Sequence, residues 1–129
     1  MEPGSDGMPD DVLIVEDDPI IALDFEDTIS GFGTRTVRTA GSVAVALQLI
    51  EQRAPDFALL DVSLGRETSL AVAERLDALN IPYVFVTGYA SDVTLLAAFA
   101  NRPRLPKPFS REALQAALQR RSNAGEGKM

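Results

Sequence analysis

Asp61 ends the apolar run Phe57-Ala58-Leu59-Leu60 and is the side chain best placed to act as a nucleophile in this sequence. A carboxylate is ionised at neutral pH and can attack phosphorus without a helper base. Complementary groups close the other strand-like runs. Glu16 and Asp17 follow Val12-Leu13-Ile14-Val15, Thr87 follows Tyr83-Val84-Phe85-Val86, and Lys107 lies in the proline-rich stretch 103–108. Three carboxylates pushed together repel one another and favour a cation. Oxygen donors without imidazole or thiolate select a hard ion, Mg²⁺ or Mn²⁺, that keeps several waters. With a lysine for one phosphoryl oxygen and a hydroxyl for another, the set is suited to phosphoryl transfer.

The rest of the composition narrows the chemistry. The chain has no histidine and no cysteine, which excludes disulfides, thiol nucleophiles, Cys/His zinc sites and Ser-His-Asp triads. Twelve Lys+Arg against nineteen Asp+Glu give a net charge of −7, so nucleic acid and anionic membranes are not expected partners. Proteins or cations are. No apolar run is long enough to span a bilayer and the first ten residues carry no signal pattern, so a cytoplasmic location is expected. At 129 residues with 46% hydrophobic content, one folded unit is expected and a fused output domain is not.

Whether these groups meet depends on the elements that carry them. Val12 to Val15 reads as a strand covered on both faces. Asp18-Pro19 then reads as an N-cap and first helical residue, with Ile21, Phe25 and Ile29 on one helical face and Gly31-Phe32-Gly33 as the stop. The Thr-rich segment Thr34 to Thr39, with Arg35 and Arg38, suits an edge strand. Ser42 caps a helix with Val43, Ala46, Leu47 and Ile50 inward. Phe57 to Leu60 is a second central strand, followed by a loop through Gly65 and a helix burying Val72, Leu76 and Leu79. Pro82 opens a third central strand, and a helix with Val93, Leu96, Ala97 and Ala100 follows.

Residues 103–108 hold too many prolines for a central strand and belong at the opposite edge. Ser110 caps a last helix through Leu114, Ala117 and Leu118. Residues 1–10 and 122–129 are expected to be disordered, leaving 11–121 as the folded unit. Strict strand-helix alternation implies an α/β fold, a flavodoxin-like (βα)5 doubly wound parallel sheet of strand order 2-1-3-4-5. Ligands bind such sheets at the carboxyl ends of the strands, where Glu16, Asp17, Asp61, Thr87 and Lys107 would gather.

Each residue also has an ordinary explanation. Asp61 alone could cap a helix or close a turn, Glu16-Asp17-Asp18 could be a solvated acidic turn, Thr87 could be favoured by its strand, and Lys107 could guard a sheet edge. Capping does not explain why complementary groups end all four strands.

The sequence resembles a response-regulator receiver domain of two-component signalling, from about Asp11 to Arg121. The similarity is carried by Val12-Leu13-Ile14-Val15-Glu16-Asp17-Asp18-Pro19, Leu59-Leu60-Asp61-Val62, Val86-Thr87-Gly88 and Lys107-Pro108-Phe109. That resemblance implies that Glu16, Asp17, Asp61 and the backbone carbonyl of Ser63 hold Mg²⁺. It also implies that Asp61 takes phosphate from a sensor histidine kinase and that Thr87 and Lys107 bind the phosphoryl oxygens. Arg104 stands three before the lysine, where the family usually has Tyr or Phe, which removes the aromatic of its rotamer switch. The loop after Asp61 lacks the family's usual proline.

Phe85-Val86-Thr87-Gly88-Tyr89 resembles a subgroup with a Phe-Ala-Thr-Gly-x-Tyr type motif, often single-domain. In that setting Tyr89 could gate the site or simply start a helix as a half-buried aromatic. Arg102, Arg104 and Arg111 lie on the face that many relatives use for partners. Signalling through changed protein contacts, or service as a phosphate sink, follows from the resemblance, with a monomer or weak homodimer expected. A pseudo-receiver that binds partners without phosphorylation is the alternative. A haloacid-dehalogenase-type phosphatase would want Asp-x-Asp where this chain has Glu16-Asp17-Asp18, and a flavodoxin would want a Ser/Thr/Gly phosphate loop.

Overall fold

Alternate residues of the central strands feed two different cores, which is why their sequences read as unbroken apolar runs. In the computed structural model, which describes residues 7–64, 67–87, 104–106 and 109–127, β1 (Asp11–Val15) is buried along its whole length. Leu13 and Val15 pack on one face with Ala58, Leu60 and Phe85. Val12 and Ile14 pack on the other with Leu59, Val84 and Val86. Each large aliphatic side chain so buried contributes about 1.5–3 kcal/mol.

The main sheet is parallel, with β2 (Thr36–Ala40) and β7 (Arg104–Pro106) at its edges and β1, β3 (Phe57–Asp61) and β6 (Tyr83–Thr87) inside. Its order, β2-β1-β3-β6-β7, is the expected one once a small hairpin, β4 (Ser63–Leu64) with β5 (Glu67–Thr68), is set aside. That hairpin occupies the stretch read from sequence as a loop. Pro106 sits opposite Thr87 on the edge strand, where a missing N–H is tolerated.

Helix α1 (Pro19–Gly31) starts as expected. Asp18 Oδ1 accepts from the N–H groups of Ile20 at 2.9 Å and Ile21 at 3.3 Å, and Pro19 is the first helical residue. Phe25 and Ile29 are buried in the same core as Leu114 and Leu118 of α4 (Arg111–Gly127), and Phe25 stacks on Phe109 at 5.7 Å between ring centroids. Ser42 caps α2 (Val43–Gln52) and Ser110 caps α4.

Two inward positions differ from the periodic reading. In α2 the residues facing the core are Ala46 and Ile50, with Val43 and Leu49 against them, while Leu47 is half-exposed. Helix α3 (Leu70–Ala78) buries Val72, Ala73 and Leu76 but leaves Leu79 38% exposed. The helix ends at Ala78, Asn80 turns the chain back at φ 60°, and Ile81 takes the buried place with its N–H on the Leu76 carbonyl at 2.9 Å. Ahead of β1, Met8 is buried against the α1/α4 core and the Asp10 carbonyl accepts the Thr36 N–H. At the other end α4 runs to Gly127, past Arg121.

The expected helix with Val93, Leu96, Ala97 and Ala100 lies outside the described residues, as do Gly65, Gly88, Tyr89, Arg102, Lys107 and Pro108. Among the described residues no helix is long and apolar enough to cross a membrane.

Candidate functional site

The strand ends at the carboxyl rim bring together three carboxylates from two elements. Glu16 and Asp17 follow β1, Asp61 closes β3, and each offers an oxygen such that all lie within 4.8 Å of one another. The ladder runs on to hold them there. Glu16 N–H donates to the Ala40 carbonyl at 2.9 Å, continuing the β1–β2 pairing, and Val62 N–H reaches the Val86 carbonyl at 3.3 Å, just beyond Asp61.

The three consecutive acids have different jobs. Asp18 caps α1, as its cap bonds show, and Glu16 Oε2 accepts the Asp18 N–H at 3.1 Å. Glu16 is buried at 3% exposure, Asp61 is half-buried and Asp17 is exposed. At 4.8 Å two such charges repel by roughly 3–4 kcal/mol for an effective dielectric of about 20, before solvent screens the exposed member. The arrangement is costly without compensation. Three carboxylates with no nitrogen or sulfur donor among them could hold a metal ion, and their chemistry suits a hard one.

Thr87 ends β6 at the same rim, half-buried, on the strand next to Asp61. Ser63 starts β4, its backbone paired with Thr68. Arg104 opens β7 opposite Phe85 and is exposed. Lys107 follows the last residue of β7 but lies outside the described residues, like Tyr89.

Two features near the rim were missed in the sequence. A cleft of about 340 Å³ runs from Glu16 and Asp17 between α1 and the end of β2, lined also by Leu23, Glu26, Thr39 and Gly41. Beside it Ile20 is 78% exposed and Leu23 56% exposed, two large apolar side chains on one face of α1. Their spacing of three residues was the available signal. The second is Glu67, whose carboxylate reaches the start of α2. No local pattern announces that contact.

Residues 12–119 match the family model for the response regulator receiver domain, nearly the whole described fold. The chain belongs to that family. Such domains are signalling switches rather than enzymes acting on other molecules. The chain is 44% identical to SdrG from Sphingomonas melonis Fr1, whose solution structure it matches with a TM-score of 0.73 over 84% of this chain and 92% of that one. It is 34% identical over 87 residues to DivK, a polar-differentiation response regulator of Brucella anthropi, covering 64% of this chain and 70% of DivK. It is 32% identical over 85 residues to PhyR, the phyllosphere-induced regulator of Methylorubrum extorquens, covering 64% of this chain. The match spans only 32% of the length of PhyR, so the likeness there is to one part of a longer protein.

Proposed function

We propose that this receiver accepts a phosphoryl group on Asp61 from the phosphohistidine of a sensor kinase, in a Mg²⁺-dependent reaction. The observation that carries the reading is the convergence of Glu16, Asp17 and Asp61 within 4.8 Å at the carboxyl rim of the sheet. Glu16, Asp17, Asp61 and the backbone carbonyl of Ser63 are the ligands assigned to the ion. Bound there, Mg²⁺ would neutralise phosphoryl oxygens as charge develops on them.

The remaining steps belong to the chain itself. A carboxylate oxygen of Asp61 attacks phosphorus in line, a P–O bond forms, and the P–N bond to the donor imidazole breaks with its electron pair returning to nitrogen. The Thr87 hydroxyl donates to one phosphoryl oxygen and Lys107 pairs with another. The acyl phosphate then either alters protein contacts or drains phosphate from the kinase. Exposed Ile20 and Leu23, beside an acidic cleft, suit docking of the kinase's phosphohistidine-bearing helices next to Asp61.

Intact-mass measurement after incubation with acetyl phosphate and Mg²⁺ tests this reading. Wild type should gain one phosphoryl adduct and Asp61→Asn none. An adduct that persists in the variant removes Asp61 from the role. No adduct on wild type leaves a binding module that works without phosphorylation.

A further inference from the structure

One carboxylate leaves its own loop to bond a different layer of the molecule. Glu67 lies in β5 opposite Leu64 of β4, and its Oε2 accepts the backbone N–H of Val43, the first residue of α2, at 3.1 Å. The same helix end already has a local cap, because Ser42 Oγ accepts the Val45 N–H at 3.2 Å. So α2 begins with two side-chain acceptors, one local and one from the segment that follows Asp61. A negative acceptor is favoured at a helix N-terminus, and the bond ties the hairpin to a helix held on the sheet by Ala46 and Ile50.

The hairpin is held in part by Leu64 of its near strand, which is buried in the core together with Val62. The hairpin has two residues in each strand, far below what holds a two-stranded ribbon together in water. Backbone bonds secure its base: Val62 N–H donates to the Val86 carbonyl at 3.3 Å, and Ser69 N–H to the Val62 carbonyl at 3.1 Å. Its far strand is held to the helical layer by Glu67. Asp61, Val62 and Ser63 lead without a break from the carboxylate cluster into this hairpin.

We propose that Glu67 is a positioning residue for the cation site: by latching the hairpin to α2 it fixes the peptide after Asp61 and the Ser63 carbonyl assigned to the metal. This rests on reading the rim as a Mg²⁺ site. Partners that orient metal ligands from outside the coordination shell typically change affinity by about 10–100-fold when removed. A plain helix cap would change stability and leave the ion alone.

The test is a Mg²⁺ titration of the full chain, followed by the amide signals of Asp61, Val62 and Ser63 and paired with urea midpoints. It compares wild type with Glu67→Ala, Glu67→Gln and Ser42→Ala. Glu67→Ala should weaken Mg²⁺ binding about tenfold. Glu67→Gln, whose amide oxygen can still accept from Val43, should recover most of it. Ser42→Ala should lower the midpoint with Mg²⁺ affinity unchanged. If Glu67→Ala binds Mg²⁺ as tightly as wild type, or Ser42→Ala weakens it equally, the latch is overturned and the cation site stands. A wild-type chain that binds no Mg²⁺ overturns the site and the latch together.

Discussion

Asp61 of β3 lies opposite Val86 of β6 in parallel register, so the next residue, Thr87, stands one position further toward the rim on the adjacent strand. The Val62 N–H to Val86 carbonyl bond at 3.3 Å keeps the two strands from slipping at this point. In the proposed reaction a hydroxyl there would meet an oxygen of the phosphoryl group on Asp61. Removing a donor aimed at developing charge commonly costs about 10²–10³ in rate. Thr87→Ala should therefore slow phosphorylation by acetyl phosphate on the order of a hundredfold, and Thr87→Ser should restore most of it. Equal rates in all three chains would leave Thr87 as a strand residue only.

The carboxylate cluster makes a prediction of opposite signs with and without cation. Without Mg²⁺, Asp17→Asn relieves repulsion and should leave stability equal to or above wild type. With Mg²⁺ at a hundredfold excess over its dissociation constant, wild type should gain about 2.7 kcal/mol, and Asp17→Asn should gain far less. Urea unfolding of both chains, with Mg²⁺ and with EDTA, measures the difference. A wild-type midpoint indifferent to Mg²⁺ would contradict the cation site.

The exposed apolar pair on α1 separates the two sources of phosphate. Leu23→Ser, an uncharged change at a side chain 56% exposed, should change stability by no more than about 0.5 kcal/mol. Phosphorylation by acetyl phosphate should be unchanged, because the small donor needs no docking face. Transfer from a phosphorylated sensor kinase should fall by tenfold or more. A variant that loses both equally has damaged the site and says nothing for docking.

The sheet order and the rim acids were legible because both follow from short-range signals. Runs such as Val12 to Val15 are buried on two faces and announce central strands, and each ends at a polar residue that the parallel topology must carry to the same edge. Contacts made by tertiary closure were not legible. Leu79 fits the helical period but falls after the last helical residue, Ala78, and just before the turn at Asn80, whose left-handed backbone no apolar count reveals. Glu67 reads as one acid in a loop until the hairpin carries it to Val43. Arg38 reads as an edge-strand charge, yet it is a member of a half-buried ion network.

That network gives the last prediction. At the amino end of the sheet, opposite the carboxylate rim, Asp11 is 7% exposed and its carboxylate meets Arg38 at 3.1 Å and Arg53 at 2.9 Å. Arg38 also donates to the carbonyls of Leu49 at 3.0 Å and Arg53 at 2.8 Å, closing the end of α2 onto β1 and β2. Removing Asp11 leaves the mostly buried Arg38 without its counter-charge, which typically costs about 3–5 kcal/mol when a buried pair is broken from one side. Asp11→Ala should therefore lower the urea-derived stability by about 3 kcal/mol. The same change lies at the far end of β1 from Glu16, so the fraction that remains folded should take phosphate on Asp61 at the wild-type rate. Intact-mass time courses under folding conditions, corrected for the folded fraction, read both quantities from one sample. A rate that falls with stability intact would tie Asp11 to the chemistry, and the two ends of the strand would then be coupled through the sheet.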